Sequence, residues 1–257
     1  MLPTILKIGP IGLHSYGLML AVAFLVGIRM MQREAKPLGI DPDRVADLGL
    51  LILASAIVGS RAFFVASHWP EYARQPLSAL AVWDGGLTFY GGVMLALPAS
   101  YWFVRSKRLP FWVLADLTAQ PLALGVALGR IGCFLSGCCF GKPSNLPWAV
   151  RFPAHSIAGS VLDCTLHPTQ LYDAAFGVVC FAVLRLLARR KRFTGSLFCA
   201  FLGLYGVWRF VVDFWRYYEP GQVWWGLTNN QWVSLVLLLA APALGVVLAR
   251  EKRGRAA

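Results

Sequence analysis

Three arginines, Arg61, Arg130 and Arg209, lie inside apolar runs of the chain. A fixed cation in hydrocarbon is expensive, and it survives where it faces a partner, a polar cavity or an anionic ligand. Asp173 and Asp213 supply part of the countercharge, but an excess of arginine remains. The guanidinium fork matches phosphate oxygens, and a phospholipid headgroup is the nearest abundant phosphate. For Arg209 the alternative is a structural ion pair with Asp213, four residues on. In LYGVWRFVVDFWR, the residues Tyr205, Arg209, Asp213 and Arg216 recur at spacings that put them on roughly one helical face.

Glycines accompany these arginines: Gly85, Gly86, Gly91 and Gly92 in WDGGLTFYGG, then Gly129, Gly132, Gly137 and Gly141. Small residues let helices approach closely, and they also let a headgroup come near the backbone. HPTQLYD opens a helix through Pro168 and Thr169 and brings Gln170 and Asp173 to its start. Cys138 and Cys139 with Cys164 and His167 contain neither a CxxC pair nor an HxxxH spacing, so no metal is expected. A disulfide from Cys164 to Cys138 or Cys139 is compatible with an oxidising outer compartment. The remaining cysteines read as small core residues.

The elements that must position these groups are membrane helices. Of 257 residues, 58% are hydrophobic and 14% charged, and the mean hydropathy is +0.60. That composition lies outside the range of soluble domains. Seven apolar stretches approach the length of about 20 residues that a bilayer core demands: roughly 15–31, 46–66, 86–104, 111–136, 170–188, 195–214 and 231–249. IGPIGLHS, with Pro10 and two glycines, suits an interfacial lead-in, and the first stretch lacks the flanks of a cleavable signal peptide.

Alternate connections hold sixteen and five of the 24 lysines and arginines, and the other three lie within the stretches. This asymmetry puts the N-terminus outside and the C-terminus in the cytoplasm. The net charge of +12 is thereby accounted for without a nucleic-acid partner. Trp69, Trp83, Trp148, Trp224, Trp225 and Trp232 fall at or near outer span ends, where headgroup-layer anchoring is their ordinary role. The expectation is an all-α integral membrane protein, a bundle of about seven transmembrane helices. It forms one domain over residues 1–257, with an outward-facing loop region at about 137–169.

The motifs in this order resemble the prolipoprotein diacylglyceryl transferase family over most of the chain. They are the Tyr-Gly of HSYGLM, Gly59 to Arg61, WDGGLTFYGG, GRIGCFLSGCCFG, HPTQLYD and LYGVWRFVVDFWR. The resemblance implies a multi-pass enzyme of the bacterial inner membrane. Such an enzyme moves diacylglyceryl from phosphatidylglycerol to the lipobox cysteine thiol of a prolipoprotein signal peptide, forming a thioether and releasing glycerol phosphate. Membrane lipids are its other partners, and no metal or organic cofactor is implied.

By motif position, Tyr16, Arg130, Gly141, Asp173, Arg209 and Asp213 match family positions associated with activity. Tyr205 and Arg216 share a block with two of them, and Arg61 joins the substrate-binding set. Arg130 and Arg209 would bind the phosphate and stabilise departing charge. Tyr16 would bond the headgroup, and Asp213 would orient Arg209.

The chain also departs from the commonest family pattern. Gly132-Cys133-Phe134 stands where GNF is usual, Cys138 where glutamate often follows the next glycine, and Tyr90 where many members have histidine. A histidine base is therefore not required. The acceptor thiol's unperturbed pKa near 8.5 leaves a cationic site, with Tyr90, Asp213 or water as proton acceptor, to favour thiolate. Other readings are a divergent paralogue with altered donor or acceptor, a transporter with an arginine-lined cavity, and a protein whose chemistry resides in Cys133, Cys138 and Cys139.

Overall fold

A computed structural model describes residues 4–8, 11–73, 75–81, 85–154 and 156–254. Pro10, Arg74, Trp83, Asp84 and Arg255 lie outside the described residues. A short antiparallel pair, β1 (Thr4–Ile8) and β2 (Ile11–His14), leads into α1 (Ser15–Ala35). Then come α2 (Pro42–Ser67), the short α3 (Trp69–Tyr72), α4 (Phe89–Ser106) and α5 (Phe111–Ser136). The long connection after α5 holds β3 (Val150–Arg151), α6 (Ile157–Val161) and β4 (Thr165–Leu166). It is followed by α7 (Thr169–Ala188), α8 (Ser196–Val212), the two-residue strands β5 (Val223–Trp224) and β6 (Leu227–Thr228), and α9 (Asn229–Gly254).

Among the described residues, five helical segments are long and apolar enough to cross a membrane: Ser15–Leu38, Pro42–Ser67, Phe111–Ser136, Thr169–Ala188 and Asn229–Lys252. At 17 residues α8 is shorter, and α4 carries Tyr90, Pro98 and Arg105 within its 18. Close packing divides the chain into two compact units, Ile28–Leu114 and Met1–Gly27 with Ala115–Ala257.

In the Ile28–Leu114 unit, α2 starts where Asp41 caps it, its side chain accepting from Asp43 N at 3.0 Å, with Pro42 at the first helical position. The crossing of α2 with α4 is glycine on glycine: a β-carbon at Gly59 would fall on the Gly91 carbonyl, and one at Gly91 on the Gly59 carbonyl. Thr88 adds a hydrogen bond from Oγ1 to Ser60 O at 3.0 Å. Gly91→Ala is expected to cost about 1–3 kcal/mol, the range for overpacking, read as a lower unfolding midpoint in detergent.

In the other unit, α5, α7 and α8 enclose a core of Ala119, Ala123, Cys180, Leu184, Leu197 and Phe201. Asp116, in the apolar run of α5, is buried because it caps α8. Its carboxylate accepts from Gly195 N (2.7 Å), Leu197 N (2.9 Å) and Phe198 N (3.0 Å) and pairs with Lys191 Nζ at 2.8 Å. Those amides would otherwise be orphan donors. Asp116→Ala is expected to cost about 2 kcal/mol, the upper end for lost caps, measured by thermal unfolding.

The connection after α5 folds over a second cluster, Phe140, Phe152, Ala158 and Leu166. It is stitched by the β3–β4 pair and by isolated bridges from Gly141 to Arg216 and from Pro143 to Leu166.

Candidate active site

The C-terminal part of α5 and the start of α7 face each other in the larger unit. Asp173, one turn into α7 and 2% exposed, joins them. One of its oxygens lies 3.1 Å from Arg130 Nε and 3.9 Å from Arg216 Nη1, and the other accepts from Trp208 Nε1 at 2.8 Å. Tyr205, one turn before Arg209 on α8, lies close enough to Arg130 to interact with it electrostatically. The start of α1 rests on the end of α5: Ser15 Oγ is 3.3 Å from Ser136 Oγ, and Tyr16 backs onto Gly132.

Arg209 and Asp213 form the i,i+4 pair at 3.1 Å. This pair sits in a larger network. Tyr218 OH donates to Asp213 Oδ1 at 2.9 Å, receives Arg209 Nη2 at 2.9 Å and receives Asn230 Nδ2 at 2.9 Å. Thr228 Oγ1 donates to the other Asp213 oxygen. Thr228 and Gln231 also make a reciprocal capping box at the start of α9, with Gln231 N to Thr228 Oγ1 at 3.1 Å and Thr228 N to Gln231 Oε1 at 2.9 Å. Burial pushes the Tyr218 phenol above its ordinary pKa, so it stays neutral and can donate. With both oxygens engaged and no exposed surface on its side chain, Asp213 orients Arg209 and is poorly disposed to take a proton from a ligand.

Arg209 Nη1 is buried and has no hydrogen-bond partner among the described residues. Arg209 pairs with Asp213, and Arg130 and Arg216 share Asp173, so three guanidiniums are answered by two carboxylates. The arrangement therefore presents an unused buried N–H in a cationic setting, which suits an anion able to accept a directed hydrogen bond.

Gly141 is a close-approach position. A β-carbon there would lie 2.7 Å from the carbonyl oxygens of both His167 and Trp215, and Gly141 N donates to His167 O at 3.0 Å. Arg216 is held beside it by the backbone bridge, beyond the end of α8 at Val212. The single helical face expected for Tyr205, Arg209, Asp213 and Arg216 thus stops at the helix end, and Arg216 reaches Asp173 from a loop.

Arg61 and Tyr90 belong to the Ile28–Leu114 unit. Arg61 directs its donors at backbone carbonyls: Ser78 O (2.6 Å), Ala79 O (2.8 Å), Gly85 O (2.7 Å) and Gly86 O (3.3 Å), and it lies over the Tyr72 ring. Among the described residues, carbonyl dipoles answer this charge. Tyr90, near the start of α4, is exposed and meets Phe89 edge to face.

The six cysteines are free thiols. Cys164 packs with the Phe140 cluster, whereas the sulfurs of Cys133, Cys138 and Cys139 all lie within 4.8 Å of one another. Hydrogen bonds from the Cys133 and Cys138 thiols, then the guanidiniums of Arg216 and Arg130, hold the Cys139 thiol well below its ordinary pKa.

Sequence reading missed Trp208, Tyr218, Thr228 and Asn230. The T-x-x-Q spacing of Thr228 and Gln231, just before an apolar run, was the available signal for the capping box. Nothing local marks Tyr218 as the centre of a network.

A family profile described as prolipoprotein diacylglyceryl transferase matches residues 3–247. The phosphatidylglycerol–prolipoprotein diacylglyceryl transferase of Geobacter sulfurreducens is 32% identical over 260 residues, covering 98% of this chain and 97% of its own. The protein of that name from Bordetella bronchiseptica is 35% identical over 257 residues, covering 96% and 95%. That from Nostoc sp. is 36% identical over 218 residues, covering 82% and 77%. This chain belongs to the prolipoprotein diacylglyceryl transferase family.

Proposed function

We propose that the chain transfers diacylglyceryl from phosphatidylglycerol to the lipobox cysteine thiol of a prolipoprotein signal peptide, forming a thioether and releasing glycerol phosphate. It is a transferase of lipoprotein biosynthesis. Family membership supports the reaction, and the unused N–H of buried Arg209 carries the assignment of the phosphate site. The headgroup phosphodiester bears one negative charge and accepts on two oxygens the hydrogen bonds that Arg209 and Arg130 are suited to donate.

As the bond between the glyceryl carbon and the phosphate oxygen breaks, charge accumulates on that phosphate. The guanidiniums then bind it more strongly than in the ground state. Asp213 and Tyr218 hold the Arg209 fork at one angle, and Asp173 does the same for Arg130. Tyr16 bonds the headgroup from the start of α1. Tyr205, Gly141 and Arg216 shape the surroundings, and in the Ile28–Leu114 unit Arg61 orders the segment before α4, which carries Tyr90.

In this reading the protein is one integral domain in the bacterial inner membrane. It has seven spans, α4 and α8 included, with the N-terminus outside and residues 137–169 facing outward. The lysine and arginine asymmetry supports that orientation, as do the exposed rings of Trp69, Trp148, Trp224 and Trp225. The test is purified protein with phosphatidylglycerol and a lipobox peptide, following glycerol phosphate release and peptide mass. Addition of one diacylglyceryl to the cysteine supports the proposal, and an unchanged peptide mass from folded protein overturns it.

A further inference from the structure

The end of α5 is built so that thiols converge. Gly137, with φ +70°, terminates the helix in a Schellman motif. Cys138 N donates to Cys133 O at 3.1 Å, and Gly137 N donates to Phe134 O at 3.2 Å. That motif ordinarily brings two apolar side chains together across the turn, one from its first residue and one from its last. In this chain both are cysteine. The next residue, Cys139, adopts φ +60°, a conformation uncommon for a residue with a β-carbon, and turns a third sulfur into the group.

The backbone is held in that shape from outside. Gln170 Nε2 donates to Cys138 O at 2.8 Å, Thr169 Oγ1 to Cys139 O at 3.0 Å, and Arg216 Nη2 to Cys139 O at 3.4 Å. Strained backbone that is over-determined by its surroundings is a mark of ligand clamps.

We infer that Cys133, Cys138 and Cys139 form a site for a thiophilic divalent cation, zinc, bound by three thiolates with the fourth position open. Zinc–sulfur bonds of about 2.3 Å in a tetrahedron place sulfurs about 3.8 Å apart, so the present cluster, within 4.8 Å, needs only rotamer adjustment. Three protein ligands with an open position are the arrangement of catalytic rather than structural zinc. Three thiolates around Zn²⁺ leave one negative charge, which Arg130 and Arg216 face, while the free N–H of Arg209 remains for the headgroup. This departs from the expectation of no metal drawn from spacing, because a vicinal pair plus one residue across a helix stop is not a CxxC pattern.

The open position suits the acceptor, an inference that rests on the transferase reading. A thiol that coordinates zinc releases its proton, which here leaves to solvent. The sulfur then forms the S–C bond to the glyceryl carbon as the C–O bond breaks, its electron pair staying on the phosphate oxygen. This supplies acceptor activation that Asp213, with both oxygens engaged, does not provide.

The test is metal content of reduced protein purified in detergent without chelator, together with Co²⁺ titration of the metal-free protein. About one zinc per chain and a thiolate-to-cobalt charge-transfer band are expected, both lost in Cys138→Ser and Cys139→Ser and retained in Cys180→Ser. The band should shift on adding the lipobox peptide and not its cysteine-to-serine analogue. Absence of bound zinc and of the band, in protein whose three thiols titrate as free and which still transfers lipid, overturns the metal site and leaves the transferase reading standing. Metal bound with no response to either peptide overturns the acceptor role alone. Metal bound in protein that transfers nothing supports the site and sinks the transferase reading.

Discussion

Arg209→Ala is expected to lower the rate of glycerol phosphate release by about 10²–10³-fold, the loss typical of removing one donor to a developing oxyanion, with the fold intact. Both halves of that expectation come from the network around Asp213. Without Arg209, the carboxylate keeps hydroxyl donors on each oxygen, Tyr218 on one and Thr228 on the other. It loses its cation but keeps these two hydrogen bonds, so the unfolding midpoint should fall by less than a loss of about 3–5 kcal/mol, that of a buried pair left without other partners, would give. Arg209→Lys should recover only part of the rate, because an ammonium restores the charge and not the fork held between Asp213 and the substrate. Steady-state kinetics with a thermal melt on the same preparations separates the two effects. A large fall in midpoint with activity lost in proportion would assign Arg209 to structure, and the phosphate reading would fail with it.

Asp173→Ala should act in the opposite proportion. Its removal leaves the Arg130 and Arg216 guanidiniums near each other with no carboxylate between them, and it leaves the Trp208 indole without its acceptor. Breaking a buried ion pair in this way costs about 3–5 kcal/mol, visible as a marked drop in midpoint, with activity falling because Arg130 is no longer aimed. Asp173→Asn tells aiming from stability. It keeps an acceptor for Trp208 and loses the charge, so the midpoint should partly recover while the rate stays low. Full recovery of both would show that the charge at this position is dispensable.

The membrane class was legible because it follows from composition and run length, properties that every residue reports. The helix start at Thr169 was legible from the proline before it, which acts locally. So was the Arg209–Asp213 pair, because i,i+4 geometry is fixed by the helix itself. Arg216 shows where this reasoning ends: periodicity continues in the letters after the backbone has left the helix at Val212. Tyr218 reaches Asp213 through a turn, and Asp116 caps a helix whose first amides lie 79–82 residues away. Contacts of that kind depend on how the chain returns, and no local pattern encodes the return. The cysteines are an intermediate case. Their spacing across Gly137 was readable in principle as a helix stop flanked by thiols, but a search for metal-binding spacings passes over it.

The glycine crossing of α2 and α4 limits how this pair of helices can change over time. Where a large side chain rests in the hollow beside a small one, sequences drift by exchanging sizes, each change on one helix opening a route for the other. At Gly59 and Gly91 each residue makes room for the other's carbonyl, and neither has volume to give up. A methyl group gained on one side cannot be compensated opposite, so the two positions are locked separately rather than as a covarying pair. They are expected to be silent in any search for correlated substitutions, although each backbone sits against the other.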